Sequence, residues 1–237
     1  METYFDKQRI ELYAKAEEVV NHYAVMKANR KGEEFEVEIP KDFSDEFFRL
    51  VDKVNLSIIE EKDNFYGYFL IQMGREIRFD ISSPTSVNFK GAKYVIYFNP
   101  LIFLNLDMNQ METTIKHEIL HVLSMHLIRA KEIKDKYSTL AINMAMDIVV
   151  NKYLNYLPPY AVTLENVNNQ YNLKLEPYET FEYYVENIQT MLDLQDYDED
   201  GEENDKTSSE DMDNNIQMDF NPENTHDIWN ESDSIDQ

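Results

Sequence analysis

The chain has 237 residues, with 46 acidic against 22 basic side chains, a formal charge of -24, 43% hydrophobic residues and no cysteine. The apolar content suits one sizeable core with additions, and the charge argues against gripping nucleic acid or an anionic membrane through phosphates. Without cysteine there is no disulfide framework, thiolate metal site or cysteine nucleophile, so any metal must be held by His, Asp or Glu.

The opening METYFDKQRIELYAKAEEVV lacks a basic region followed by an apolar run, so it reads as an amphipathic helix and not a signal peptide. The spacing of Phe5, Ile10, Leu12, Ala16, Val19 and Tyr23 predicts a helix from Tyr4 to Ala28, ended by Lys31 and Gly32. A second helix is expected from Ser44 to Glu61, with Phe47, Val51, Val54 and Ile58 on its apolar face. Short β-rich runs follow at Phe65 to Met73, Glu76 to Ile81 and Lys93 to Phe98, punctuated by Gly74, Pro84 and Gly91. From Asp107 a long helix without Gly or Pro is expected to run to Lys136. A fourth is expected from Ser138 to Leu154, ahead of Pro158 and Pro159. An Asn-rich loop through Tyr171 precedes a fifth, from Tyr178 to Leu192. Helices, sheet, helices is an α+β order.

The most apolar stretch, Tyr94 to Leu106, is interrupted by Asn99, Pro100 and Asn105 and is shorter than the roughly 20 residues a bilayer span needs. A soluble, cytoplasmic protein is expected. From Asp193 to Gln237 there are 17 acidic residues and one basic, Lys206, which is -16 of the chain's -24. A segment so charged and so poor in apolar residues is expected to be disordered. The expected organisation is an N-terminal helical segment over 1–64, a core over 65–192 and an acidic tail over 193–237. The tail is a possible contact for a protein partner.

His117-Glu118-Ile119-Leu120-His121 is an HExxH pattern, for which composition alone gives about 0.01 chance matches in a chain of this make-up. On a helix, positions four apart lie on one face a turn from each other, so both imidazoles can reach one metal. Glu118 can then lean over a metal-bound water as general base. A catalytic zinc also needs a third protein ligand and an open position. His126 lies about 140° around an uninterrupted helix from His121 and points away. Asn143, Asp147 and Asn151, four apart, make a polar stripe on an otherwise apolar helix, and a buried carboxylate there would be costly unless paired. Asp147 is the expected third ligand and His126 the alternative; His126, Asn143 and Asn151 otherwise support the ligands or bond helix to helix.

With FNP (98–100), KHEILHVLSMHLIR (116–129), NMAMDIVVNKYL (143–154), LPP (157–159) and TFEYYVENI, the chain resembles the putative metallopeptidase domain. This is a zincin-type, metal-dependent peptidase family found in bacteria and phages, often ahead of a von Willebrand factor A-like domain. THDIWNES (225–232) is similar to a short His-x-x-Trp stretch that follows the acidic linker of such proteins. The resemblance implies a zincin-like core, with a small, mainly antiparallel sheet beside the active-site helix. It also implies His117 and His121 on the metal, Glu118 in catalysis and Asp147 as metal partner.

The function expected is zinc-dependent hydrolysis of peptide bonds, with Zn2+ activating a water and Glu118 as general base. Arg129 or a tyrosine would stabilise the oxyanion. The strand Lys93 to Phe98, taken as a sheet edge, would receive an extended polypeptide substrate. The alternative is a catalytically inactive binding or assembly module stapled by its metal.

Overall fold

A computed structural model describes residues 3–29, 38–60 and 64–199. The chain forms two compact units, whose described residues run up to Ile119 in the first and from Leu120 in the second.

The first unit opens with α1 (Tyr4–Asn29), started by a reciprocal cap. The Asp6 amide donates to Thr3 Oγ1 at 3.1 Å, and the Thr3 amide donates to the Asp6 carboxylate at 2.9 Å. Hydrogen bonds from the Thr3 side chain and backbone hold Asp6 below the usual carboxylate range. α2 (Lys41–Glu60) buries Phe43, Phe47, Leu50, Val51, Val54 and Ile58 along one stripe. It begins three residues before Ser44, whose amide lies inside the first turn and donates to Pro40 O at 3.0 Å.

The run expected as a strand over Phe65 to Met73 is instead α3 (Asn64–Gln72). Its β-favouring aromatics are outweighed by packing. Gly67 and Leu70, three apart, are buried, and Gly67 comes so close to α2 that a Cβ there would sit 2.4 Å from Ile59 Cγ1.

The sheet has three strands, β1 (Gly74–Ile77), β2 (Thr85–Lys90) and β3 (Lys93–Phe98), in the order β1-β3-β2. β1 pairs parallel to β3 and β2 antiparallel to it, so the sheet is mixed where a mainly antiparallel one was expected. β2 falls in a stretch read from sequence as punctuation. It forms because a tight turn at Gly91, with φ +63°, folds it onto β3. β3 is therefore the central strand and offers no edge to a substrate, contrary to the expectation.

FNP ends β3 and starts the next element. Phe98 is buried against the rings of Phe47 and Phe103. Asn99 caps α4 (Pro100–Phe103) by accepting from the Leu101 amide, and its Nδ2 donates to Ile81 O at 2.8 Å and Phe79 O at 3.2 Å. Pro100 takes the first helical position, where its missing N–H costs nothing. Asp107 and Gln110 then form a second reciprocal cap at the start of α5 (Met108–Leu123).

The helix expected to run unbroken from Asp107 is two helices. α5 stops at Leu123, and α6 (His126–Ile133) begins after Met125 takes the left-handed conformation, φ 53° and ψ 33°. The second unit continues with α7 (Thr139–Asn151), capped by Ser138 Oγ accepting from the Ala141 amide. α8 (Leu164–Tyr171), capped by Thr163, lies in the segment read as loop. α9 (Phe181–Glu199) extends seven residues past Leu192. Phe181, Tyr184, Val185 and Ile188 of α9 are buried, and α9 packs along α7. The rest of the acidic segment, with THDIWNES, lies outside the described residues. Among the described residues no helix is long and apolar enough to cross a membrane.

Candidate metal centre

α5 carries His117 and Glu118 on one turn and His121 on the next. His121 is fully buried, Glu118 is buried and His117 is partly exposed. α7 presents Asn143, Asp147 and Asn151, all buried, at four-residue spacing. Nε2 of His121 lies 3.3 Å from Oδ1 of Asp147. One ligand atom from each of His117, His121 and Asp147 falls within 4.8 Å of the others.

The donor set, two imidazoles and one carboxylate, suits a metal ion held through nitrogen and oxygen. Two donors about 2.0–2.1 Å from a tetrahedral zinc stand roughly 3.4 Å apart, close to the His121 to Asp147 separation of 3.3 Å. Two imidazoles and a carboxylate are also a set used by zinc hydrolases that keep one position for water.

Thr85, the first residue of β2, is a site residue that sequence reasoning missed. Its Oγ1 donates to Glu118 Oε1 at 3.0 Å, with both groups buried, and Ser83 Oγ fixes the same turn by donating to Thr85 O at 2.6 Å. The available signal was the alternation in Thr85-Ser86-Val87-Asn88-Phe89, hidden behind Ser82, Ser83 and Pro84.

His126 is turned toward His121 by the break at Met125. Their Nδ1 atoms are 3.0 Å apart, and His126 is fully buried. It meets His121 on the ring nitrogen that does not face Asp147. Asn151 Nδ2 donates to Val162 O at 2.8 Å, tying the loop after Pro158 and Pro159 to α7. Arg129, one of the groups considered for the oxyanion, is engaged elsewhere. It pairs with Glu182 at 2.5 Å and lies over the Phe181 ring at 4.8 Å. Burial pushes the phenol of Tyr160, on the loop held by Asn151, up to about 12.

An α+β chain that gathers two helix-borne imidazoles and a buried carboxylate within one metal's reach is of the class that can hold a metal through nitrogen and oxygen donors. It belongs to the family described as "Putative metallopeptidase domain", whose model matches residues 60–237, more than half of the chain, and takes in the acidic segment as well as the helices. No curated protein and no solved structure matches the chain.

Proposed function

We propose that the chain is a zinc-dependent peptidase. The observation that carries this is the convergence of His117, His121 and Asp147, with Glu118 beside His117 on α5, in a chain of this family. Those three side chains would hold the ion. Zinc, when bound, supplies Lewis acidity toward a carbonyl oxygen and acidifies an attacking water.

Glu118 takes a proton from the attacking water as the new C–O bond forms, and delivers it to the leaving nitrogen as the peptide C–N bond breaks. The Thr85 hydroxyl, bonded to Oε1, restricts that carboxylate to one orientation during both transfers. Thr85, the first residue of β2, touches Glu118, and the family's description as a metallopeptidase domain supports a polypeptide as substrate.

Bound zinc and casein cleavage measured on wild type and Glu118→Gln test the assignment. Zinc should be retained in both proteins while the variant loses about 100-fold or more in turnover. Retained zinc with equal cleavage would overturn the role of Glu118.

A further inference from the structure

We propose that His126 is a positioning residue for the metal site. It accepts a hydrogen bond that fixes His121 as the Nδ1–H tautomer and so aims the Nε2 lone pair at the ion. The inference rests on the zinc reading of His117, His121 and Asp147.

The sequence between His121 and His126 contains neither Gly nor Pro, and a continuous helix would carry His126 about 140° away. Met125 nevertheless adopts φ 53° and ψ 33°, a conformation that costs a non-glycine residue roughly 1–2 kcal/mol. Met125 is 57% exposed, so its burial is not what offsets that cost. The turn brings in the His126 ring, which packs against Phe181 of α9 at 5.5 Å. The two imidazoles meet edge to face, at 70° and 5.0 Å between centroids.

Proton counting assigns the roles. Two Nδ1 atoms 3.0 Å apart share one hydrogen. Nε2 of His121 is the nitrogen facing Asp147, so it is the one given to a metal. A neutral imidazole ligating through Nε2 carries its hydrogen on Nδ1. His126 Nδ1 is then the acceptor, and the His126 hydrogen is on Nε2. Ligating histidines commonly donate their second N–H to a carboxylate or carbonyl; here a second imidazole takes that place.

The test uses the full chain stripped of metal, with zinc affinity measured by competition with a chromophoric chelator. His126→Asn places a carbonyl oxygen where Nδ1 stood, and His126→Phe keeps the ring without an acceptor. Wild type and the Asn variant should bind within about threefold of each other, and the Phe variant about 10–100-fold more weakly. With cobalt in place of zinc, the Phe variant alone should show an altered visible spectrum, a change that loss of packing without loss of tautomer control would not produce. Should the Phe variant fail to fold, the Asn variant decides: a tenfold loss there overturns the proposal. Equal zinc affinity in wild type and Phe variant overturns it too. A wild-type chain that takes up no zinc overturns the metal reading itself, and this proposal with it.

Discussion

Asp147→Asn keeps the shape of the side chain and removes the charge, so it isolates the ligand role. Asp147 is 4% exposed, with its carboxylate 3.3 Å from the His121 imidazole. Four-ligand zinc sites bind with about 10–16 kcal/mol, so one ligand carries on the order of 3 kcal/mol, or roughly 100- to 1,000-fold in Kd. With zinc at about 100 times the wild-type Kd, binding stabilises the wild type by about 2.7 kcal/mol. For a chain of this length that raises Tm by about 5–11 °C. The variant would then sit at or below its own Kd, gaining at most about 0.4 kcal/mol, under about 2 °C. The assay is thermal denaturation followed by circular dichroism, with zinc and with chelator. A zinc-dependent rise in the variant equal to that of the wild type would refute Asp147 as a ligand.

Thr85→Val should lower kcat about tenfold or more, since a hydrogen bond to a charged group is worth about 1.5–3 kcal/mol, and leave zinc affinity unchanged, while Thr85→Ser stays near wild type; a fall in zinc affinity would refute this. In urea denaturation Met125→Gly should be more stable than Met125→Ile by about 1–2 kcal/mol, because only glycine takes the left-handed turn without strain; the reverse order would mean that the helix does not break there. Gly67→Ala should destabilise by about 1–3 kcal/mol despite its better helix propensity, since its Cβ meets Ile59 Cγ1 at 2.4 Å, and Ile59→Ala should relieve the loss. Burial raises the Glu182 pKa, but the Arg129 bond and charge, with hydrogen bonds from the Glu182 backbone and Thr180, together outweigh it and leave the group below its ordinary value. A depressed carboxylate stabilises above its unfolded pKa and loses that contribution as pH falls through the folded one. With the Glu182 side chain 55% exposed, Glu182→Gln should cost roughly 0.2–1 kcal/mol near pH 7 and close to nothing near pH 2.5; a cost independent of pH would count against the pairing.

The part of the site written in local spacing is legible in the sequence. His117 and His121 are one turn apart on any helix, and Asn143, Asp147 and Asn151 stand out because their neighbours are apolar. Both signals survive errors of several residues in helix ends. What depends on long-range packing is not legible in the same way. The aromatics of Phe65 to Ile71 favour a strand until α2 supplies a surface that Gly67 can approach. β2 exists only because β3 is there to pair with, so Thr85 could not be placed beside Glu118. The break at Met125 has no glycine or proline to announce it. Local rules therefore gave His126 the wrong direction, although its closeness to His121 in sequence was plain.

That direction bears on whether the metal would be catalytic or only a staple. A structural zinc site is closed by four protein donors, whereas a catalytic one has three and a place for water. His126 is the described histidine best placed in sequence to supply a fourth donor, and it meets His121 at Nδ1. The two nitrogens of an imidazole point in widely divergent directions, so a group bonded to Nδ1 does not reach an ion held on Nε2. Among the described residues the donor group has three members, and His117 alone of them is partly exposed. Solvent would then reach the donors from the His117 side, while Glu118 beside it is buried. The same donors would serve a non-peptide amide equally well. It is membership of a family described as a metallopeptidase domain that favours a polypeptide over a small amide, and a screen of both substrate types would separate them.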